Sequence, residues 1–382
     1  MAYALPDPYR SAIRSGFALN YTVSASYKGQ AVAGAQNMAP VGGQITDTAE
    51  PGVRRVLTLD LAPTPGLFDL LAPIGTTLTV TANVTYTNRA TVQIPMGVFD
   101  VDDETLTEGG GKLSLTAPDL WQRIVRAKFL GPAASTKGLL VVSQIQQLIQ
   151  GAGLTATVTS TSKATTPTLT FDQARDTAIL DLAKQAGLWV YFDRNGNGVI
   201  ADQPTTKPTA DWLIDASDSG VLVSLDRSRS RTVTYNVIVV ESSAAAGSAF
   251  ATQYVFDNDP NSQTYVAGGT WGPTPPTVSP SSSFGLVPYY FDTPLTMSAA
   301  GAIQAGAAVL YKTTGLASQV SVTAVHNPAI DAFDAIDVLA PRQRYDIPRA
   351  VERHVVDTVT HPLDVTRPQQ IDGRSTRTDS YQ

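Results

Sequence analysis

The chain has 382 residues, 43% of them hydrophobic and only 16% charged, and its formal net charge is −6. The apolar fraction excludes wholesale disorder, the acidic balance offers no basic surface for gripping phosphates, and the absence of cysteine excludes disulfides, thiolate catalysis and cysteine-ligated zinc. No stretch approaches the ~18 consecutive apolar residues of a membrane span and the N-terminus lacks a signal-peptide pattern, so we expect neither membrane insertion nor a signal peptide. We predict a β-rich, non-catalytic protein that needs no cofactor.

The N-terminal third consists of short segments rich in Val, Thr, Tyr and Ile that are separated by Gly, Pro and Asn. Such segments with such boundaries are typical of the strands of a small barrel or sandwich. We therefore predict an N-terminal β-barrel module over residues 1–115. Its strands are expected at residues 17–30, 54–61, 78–87, 91–101 and 112–116.

The middle of the chain changes to helical periodicity. Apolar residues recur at about 3.6-residue spacing in three segments, and glycine follows each of them. The residues LWVYF and GVIA then flank DRNGNG, which predicts a β-hairpin, and Trp189, Tyr191 and Phe192 are expected in the core. We predict an α+β insert over residues 116–215, with helices at 119–129, 139–150 and 172–186.

The C-terminal part returns to strand patterns and forms a predicted second β module over residues 216–363. Residues 243–297 are rich in Ser, Gly, Pro, Ala and Thr and predict a long loop excursion, and the Ala-rich segment 298–314 predicts a helix. Residues 364–382 predict an extended tail. The predicted fold class is α+β and mainly β, with two small β-barrel modules flanking an α+β insert. Further strands are expected at residues 221–242, 319–325, 335–340 and 353–360.

The loop that begins at Asp193 matches the first half of a calcium-binding loop. Asp193, Asn195 and Asn197 supply oxygen donors at positions one, three and five, and glycine stands at position six. Position twelve is Pro204, where such loops carry a bidentate glutamate. The alternative is a hairpin turn in which Asn and Gly adopt positive φ at little cost. Both interpretations stand, and the turn is favoured.

Two groups of side chains are candidates for subunit contacts. Arg227, Arg229 and Arg231 alternate, so on a strand they would share one side. They would either discourage aggregation at a solvated edge or bind carboxylates of a neighbouring subunit. The second group is Tyr289, Tyr290 and Phe291, which could anchor the loop excursion against a neighbour.

Catalytic and metal sites find little support in the sequence. Asp100, Asp102, Asp103 and Glu104 form an acidic cluster, but nothing supplies the facing carboxylate of a glycosidase, so a solvated turn is favoured. The three histidines lie far apart and lack the spacing of a zinc helix. They are His326, His354 and His361.

The order of several segments resembles the tail-hub (baseplate-hub-like) minor tail proteins of phages, especially those of actinobacterial siphophages. The segments are GVFDVDDETLTEGGGKLSLTAPDLWQRIV, FDQARDTAILDLAKQAGLWVYFDRNGNGVI, GVLVSLDRSRSRTVTYNVIVVES and HNPAIDAFDAIDVLAP. The resemblance covers about two-thirds of the chain, and its motifs are structural rather than catalytic.

The resemblance implies a structural protein of the virion tail tip that assembles in the host cytoplasm. Three copies would form a ring, a homotrimer, in which two β modules from each chain present six similar units to the sixfold tail or distal tail protein. The ring would also contact the tail-tip fibre or other minor tail proteins. It would gate the lumen for the tape-measure protein and for DNA, which passes only transiently during genome ejection. No lysozyme-like extension is evident, so a wall-degrading role is not expected.

Two other functions are weaker alternatives. A carbohydrate-binding receptor adhesin at the tail tip would need exposed aromatic side chains on a β face, and Trp271 and Tyr289–Phe291 are its only candidates. A glycosidase would depend on Asp100 or Asp103. The structural hub is the favoured function.

Overall fold

The structure is a computed structural model, and it describes residues 9, 16–86, 90–107, 109, 111–204, 209–216, 220–244, 249–260, 262–277, 284–315, 318–339 and 351–375. Strands dominate and helices are few, so the predicted α+β, mainly β class is confirmed. The sheets do not close into a barrel within this part of the chain.

An antiparallel four-stranded sheet occupies the N-terminal region. Its order is β2-β1-β5-β6, and apolar side chains alternate along β5 so that one face is buried, as expected for a sheet with one solvated side. The short helix α1 (Leu67–Leu70) precedes β5. The strands are β1 (Phe17–Tyr27), β2 (Gln30–Ala31), β5 (Thr76–Tyr86) and β6 (Thr91–Asp100).

A second sheet draws ten strands from both ends of the chain. Four come from the N-terminal region and six from the C-terminal region. The N-terminal strands are β3 (Pro40–Thr48), β4 (Arg55–Leu61), β7 (Asp103–Leu106) and β8 (Leu113–Pro118). The C-terminal strands are β14 (Trp212–Asp215), β15 (Leu222–Arg229), β19 (Ser318–Ala324), β20 (Ala335–Leu339), β21 (Val351–Pro362) and β22 (Gln369–Ser375).

Strand β21 joins the two β regions. Along one edge its first half pairs with β20 and its second half pairs with β3, for example Thr358 with Thr48, while β22 occupies its other edge. Leu57 of β4 and Ile371 of β22 belong to the same hydrophobic core. The two small β-barrel modules of the prediction are not closed barrels in the described residues. The N-terminal region has a four-stranded sheet of its own, and the ten-stranded sheet and one hydrophobic core are shared by both β regions.

The α+β insert has a core of its own. Helices α2 (Trp121–Arg126), α3 (Val141–Gln150) and α4 (Arg175–Gln185) pack with a three-stranded sheet of order β10-β13-β12. The helices predicted at 139–150 and 172–186 are present, whereas α2 is shorter than the predicted 119–129. The remaining strands are β9 (Ala133–Ala134), β10 (Ala156–Val158), β11 (Thr170–Phe171), β12 (Leu188–Phe192) and β13 (Gly198–Asp202).

A small third sheet lies under an Ala-rich helix. The strands β16 (Val237–Ser242), β17 (Gln253–Phe256) and β18 (Pro288–Thr293) pair in the order β17-β16-β18 and pack against α5 (Ala299–Gly315). Helix α5 matches the predicted 298–314. The predicted loop excursion 243–297 contains β17 and β18, so it is not an irregular loop throughout, because Val255, Phe256 and Phe291 bury their side chains.

The predicted extended tail, residues 364–382, is wrong for its described part. Residues 369–375 form β22, which pairs with β19 on one side and with β21 on the other. Gln369, Ile371 and Gly373 are buried in alternation with the more exposed Gln370 and Asp372, so the segment has the burial pattern of a strand although Ile371 is its one large apolar side chain. Within the described part of the chain, no helix is long and apolar enough to cross a membrane.

Candidate functional site

The loop 327–334 lies where β21 changes its partner from β20 to β3. The backbone N–H of Phe333 donates to the carbonyl of Val356 (2.8 Å), and that of Val356 donates to the carbonyl of Asp334 (2.9 Å). On the β3 side, the N–H of Ala49 donates to the carbonyl of Asp357 (2.7 Å). The loop thus fills the interval between two strands on one edge of β21.

Five buried charged side chains meet at this loop, and we name them the junction cluster: Asp47, Arg54, Arg55, Arg194 and Asp331. The Arg54 guanidinium binds both carboxylate oxygens of Asp47, with Nε to Oδ1 at 2.7 Å and Nη2 to Oδ2 at 3.1 Å. Arg55 Nη2 lies 2.9 Å from Asp331 Oδ1. Two-point Arg–carboxylate geometry fixes orientation as well as distance, so β3, β4 and the loop are held in one arrangement.

Arg194 brings the insert to the same cluster. It projects from the β12–β13 hairpin, and its Nε donates to Asp331 Oδ2 at 2.9 Å. Its two Nη atoms donate to the carbonyls of Pro328 (2.7 Å) and Ile330 (2.9 Å). Because one guanidinium satisfies a carboxylate and two carbonyls of the loop, the hairpin and the loop are fixed to each other.

Electrostatics favours an ionised Asp331. Burial by itself would raise the pKa of Asp331, but the guanidinium groups of Arg194, Arg55 and Arg54 outweigh burial and hold that pKa well below its usual range. Asp119 behaves differently: burial raises its pKa to about 6, although the backbone N–H groups of Arg55, Trp121 and Arg54 donate to its carboxylate. The cluster is a structural ion network closed to solvent.

Aromatic rings cover the cluster on the insert side. The rings of Trp189 and Tyr191 stack at 4.1 Å, and the Arg54 guanidinium lies 5.2 Å from each ring centroid. Phe333 reaches Trp189 at 4.1 Å from a left-handed backbone with φ of 71°. A bulky residue persists in that conformation only where its surroundings enforce it, so the contact between Phe333 and the insert is strongly determined.

An aromatic cleft of about 350 Å³ opens beside these rings, and we name it the junction cleft. Its walls come from the β3–β4 loop, from α4 and β12 of the insert, from α5 and from Arg374 of β22. Apolar surface predominates in it, with Lys184 and Lys312 on the two facing helices. The cleft therefore lies where the insert, the third sheet with its helix and the ten-stranded sheet meet.

Two buried histidines form a further contact between distant segments. The rings of His326 and His361 stack at 5.8 Å, and the Tyr21 hydroxyl lies 2.8 Å from His326 Nε2. His361 Nε2 lies 3.1 Å from the carbonyl of Ile330 and its Nδ1 lies 3.2 Å from Gln369 Nε2, which assigns the Nε2–H tautomer. Burial lowers the pKa of His326 to about 4. The pair is neutral and links β1, the segment that follows β19, β21 and β22.

The Asp193 loop has the geometry of a hairpin turn. Asp193 Oδ1 accepts hydrogen bonds from the N–H groups of Asn195 (2.9 Å) and Asn197 (2.8 Å), and Oδ2 accepts one from the Asn197 amide (3.1 Å). The hairpin between β12 and β13 is thus present as expected. A calcium site at Asp193, Asn195 and Asn197 stays a prediction. No group of three acidic or histidine side chains that could hold a metal ion occurs among the residues described.

The three candidate arginines do not act as one row. Arg227 and Arg229 lie on β15, at the edge of the ten-stranded sheet, while Arg231 follows the end of that strand. Arg227 Nε donates to Glu352 Oε2 at 3.0 Å within the same chain. Arg229 and Arg231 are exposed, and a subunit contact through them stays a prediction.

The aromatic candidates alternate along β18. Tyr290 is 67% exposed, whereas Phe291 is buried beneath α5 and Tyr289 packs edge-on against Tyr235 at 5.3 Å. Trp271 Nε1 donates to the carbonyl of Phe256 (2.8 Å). Tyr290 alone of these four aromatic side chains presents most of its surface to solvent.

The acidic cluster is bound to α2 instead of being merely solvated. Arg123 forms two hydrogen bonds to the Asp100 carboxylate (2.6 and 2.7 Å), and Arg126 pairs with Asp102. Asp103 and Glu104 begin β7. These ion pairs orient the first helix of the insert on the N-terminal sheet.

Sequence reasoning missed the junction cluster. Arg194 and Asp331 lie inside the segments FDRNGNG and HNPAIDAFD that carry the resemblance, but no local pattern marks them as partners at a separation of 137 residues. The available signal was the adjacent pair Arg54 and Arg55 at the start of a strand. Because neighbouring side chains on a strand face opposite sides, one arginine of such a pair is expected to face the interior, where it needs a carboxylate partner. Trp189 and Tyr191 are expected in the insert's core, yet they face the cluster, while Phe192 lies in that core as expected.

No protein-family model and no curated protein sequence matches this chain. Solved structures do resemble it. A tail protein from Neisseria meningitidis MC58 has a TM-score of 0.59 at 12% identity, covering 93% of this chain and 96% of that one. The 43 kDa tail protein of prophage MuSo2 from Shewanella oneidensis has a TM-score of 0.55 at 12% identity over 94% and 100% of the two chains.

The prophage tail protein gp18 from Listeria monocytogenes EGD-e has a TM-score of 0.54 at 10% identity, covering 92% of this chain and 94% of that one. At these identities the likeness concerns the fold. This chain has, over more than nine-tenths of its length, the fold of three solved tail proteins, two of them from prophages.

Proposed function

We propose that this chain is a structural, non-enzymatic hub protein of a phage tail tip, and that three copies form a ring. The observation that carries the proposal is the likeness of fold to tail proteins over more than nine-tenths of both chains, for example 93% and 96%. The resemblance of the segment order to tail-hub minor tail proteins points the same way.

The junction cluster supports the mechanical part of this proposal. A hub transmits load between the tail tube and the tip, so its parts must keep their relative orientation. The two-point pair between Arg54 and Asp47 holds the sheet strands together. Three buried guanidinium groups from two segments, the adjacent Arg54 and Arg55 and the hairpin's Arg194, converge on Asp331 of the loop. Each copy would enter the ring as a rigid unit.

The ring would join the sixfold distal tail protein to the tip fibre or other minor tail proteins. Its lumen would open for the tape-measure protein and then for DNA, and the net charge of −6 would let phosphates slide past without adhering. The virion tail would be its location after assembly in the host cytoplasm. Contacts between copies are expected at Arg229, Arg231 and Tyr290, which are exposed.

Light scattering on the purified chain, with and without the distal tail protein, tests the proposal. We expect a mass of three chains, or a trimer once the partner is added, and rings in negatively stained images. A chain that stays monomeric in both samples contradicts it.

A carbohydrate-binding adhesin is the second candidate, and a glycan array tests it. Of its four aromatic candidates only Tyr290 is largely exposed, and Trp271 and Phe291 pack inside the chain. We therefore expect no glycan binding, and binding that is lost in Tyr290→Ala would favour the adhesin.

A further inference from the structure

The main path of the ten-stranded sheet ends in two open edges, β7 and β15. Its order is β15-β19-β22-β21-β3-β4-β8-β7, and among the described residues β15 pairs only with β19 and β7 only with β8. An edge strand presents unpaired backbone N–H and C=O groups and therefore accepts another strand. The sheet can continue into a second molecule at either end of this path.

Strand β7 lacks both a backbone partner and a side-chain donor at its open edge. The N–H of Thr107 donates to the carbonyl of Lys112 on the β8 side (3.1 Å). Hydrogen-bonded pairs alternate along an antiparallel ladder, so Thr105 also bonds to β8, while the backbone groups of Glu104 and Leu106 point outward. Glu104 Oε2 is buried and accepts no hydrogen bond from a described residue.

Strand β15 is exposed along almost its whole length. Six of its eight residues are exposed, and only Leu222 and Leu225 are half-buried. Leu225 packs on the margin of the shared hydrophobic core, as Leu106 does at the other end of the sheet. Arg227 follows Leu225 on the same face, and its side chain is 33% exposed while its Nε donates to Glu352. Each edge thus carries a half-covered leucine and a charged side chain two residues away.

Strand direction allows the two edges to join between copies. All seven pairings along the path are antiparallel, so its first and last strands run in opposite directions. If β7 of one copy lies beside β15 of a copy related by rotation, the new pair is antiparallel as well. A contact between two unlike edges is head-to-tail, and head-to-tail contacts build rings.

Side-chain chemistry selects one register for this pair. On β7, Leu106 and Glu104 lie opposite buried leucines of β8, and on β15, Leu225 and Arg227 lie opposite buried valines of β19, so all four side chains are on the core face. An antiparallel pairing that sets Leu106 opposite Leu225 also sets Glu104 opposite Arg227. A shift of two residues in either direction would set a leucine against a charged side chain.

The β7 edge is acidic. Burial and the nearby Asp69 carboxylate raise the pKa of Glu104, so a cation placed beside it would be favourable. Asp103 is exposed next to it. The two cations of this region are paired within the chain: Arg126 with Asp102 and Lys112 with Asp60.

The β15 edge is basic. On the strand and just after it, Arg227, Arg229 and Arg231 stand against Asp226 and the neighbouring Glu352. Charged edge strands resist pairing with copies of themselves. Because these two edges carry opposite charges, pairing of unlike edges is favoured and pairing of like edges is opposed.

We propose that β7 of one copy pairs antiparallel with β15 of the next, with Leu106 opposite Leu225 and Glu104 opposite Arg227, so that the sheet continues from copy to copy. This inference rests on the proposed ring and names the contact that would close it. The pairing gives both edges backbone partners, covers both marginal leucines and brings a guanidinium to Glu104.

Engineered disulfides test this register cleanly, because the chain has no cysteine of its own. The register sets Thr105 opposite Asp226 with Cα atoms about 5 Å apart, which is within reach of a disulfide. After mild oxidation, the double variant Thr105→Cys/Asp226→Cys should give covalent two-chain and three-chain bands on a non-reducing gel. Each single variant should remain a single chain, and a mixture of the two should give a two-chain band, because unlike edges meet.

The matched control is the double variant Thr105→Cys/Ser321→Cys. Ser321 lies opposite Asp226 on β19, one strand further from the edge, and so about 10 Å from β7 of the next copy. That distance is beyond a disulfide, and this variant should remain a single chain. A disulfide of the first double variant that forms only within single chains would contradict the contact between copies.

Sedimentation equilibrium measures the contribution of charge in the cysteine-free chain. Glu104→Lys should raise the dissociation constant about tenfold or more, since it sets a lysine against Arg227. Asp181→Lys makes the same charge change on an exposed carboxylate of α4 and should leave association unchanged. Circular dichroism should show both variants folded. Equal association of the wild type and Glu104→Lys would contradict the proposed register.

The contact and the hub proposal can fail separately. If the wild type assembles but oxidation leaves Thr105→Cys/Asp226→Cys as single chains, the strand pairing is wrong while the hub proposal stands. If the wild type stays monomeric with and without the distal tail protein, the hub proposal fails and the strand pairing fails with it.

Discussion

Asp331 is the residue on which the junction cluster depends. Its two carboxylate oxygens bind Arg55 and Arg194, each at 2.9 Å, and Arg54 lies 3.8 Å away. Three buried guanidinium groups face two carboxylates, Asp47 and Asp331, and Asp331 pairs with all three of them. A buried ion pair adds little to net stability, but removal of Asp331 leaves Asp47 as the one described carboxylate among three buried guanidinium groups of the junction cluster.

The substitution Asp331→Asn should therefore lower the free energy of unfolding by about 3–5 kcal/mol. Guanidinium chloride denaturation followed by fluorescence measures it. Asp337→Asn is the matched control, since Asp337 pairs with Arg353, a side chain that is 38% exposed, and loss of a solvated pair costs about 1 kcal/mol or less. Equal losses for the two variants would contradict the role given to the cluster.

The histidine pair predicts a pH dependence of stability. Burial lowers the pKa of His326 from its ordinary value of 6.5 to about 4. Below about pH 6.5 the unfolded state therefore binds a proton at this residue more readily than the folded state does. Its contribution is complete above about pH 6.5 and is lost as the pH falls toward 4, which amounts to about 3 kcal/mol. Burial and the neighbouring His326 lower the pKa of His361 in the same sense.

Denaturation curves at about pH 7.5 and about pH 5 check this. Between these two pH values His326→Gln should lose less stability than the wild type, or gain more, because the group that binds a proton on unfolding is gone. Asp119, whose raised pKa of about 6 acts in the opposite sense, is common to both proteins. A variant that loses as much as the wild type would show that acid acts elsewhere.

At the scale of elements, β3 needs a glycine where it bends to pair on both sides. Gly43 has a φ of 108°, its carbonyl accepts the N–H of Leu363 (3.0 Å), and a Cβ there would lie 2.2 Å from the carbonyl oxygen of Thr58. Strain and collision with the backbone of β4 therefore act together. The β3–β4 pairing is possible only without a side chain at this position.

Gly43→Ala should destabilise the protein by about 3 kcal/mol or more, whereas Gly29→Ala should cost about 1 kcal/mol. Gly29 also has a positive φ, 79°, but a Cβ on it would meet no atom within 4 Å, so only backbone strain applies. Thermal unfolding measures both variants. Equal costs would mean that the close approach of β3 and β4 is absent.

At the scale of the whole molecule, the shared strand β21 predicts one cooperative unit. Val356 is fully buried in β21 and belongs to the core that both β regions share. A cavity at this position should weaken strands from both ends of the chain equally, because they cannot unfold without losing the same core.

Val356→Ala should lower the free energy of hydrogen exchange by about 2 kcal/mol in β5 as well as in β19. Val351→Ala, on the same strand but 55% exposed, should change neither. Exchange that rises in β19 and leaves β5 protected would indicate two independent β modules.

The sequence by itself determined the types of most elements, because helix and strand patterns depend on residues only a few positions apart. The helices at 139–150 and 172–186, the hairpin at Asp193 and the mainly β class follow from that local information. The tertiary structure alone decided which strands pair and which charges meet. Thr358 pairs with Thr48 and Arg55 meets Asp331, and only the collapse onto one core brings such distant segments together. The charged β22 shows the same dependence, since its partners on both sides, and not its composition, make it a strand.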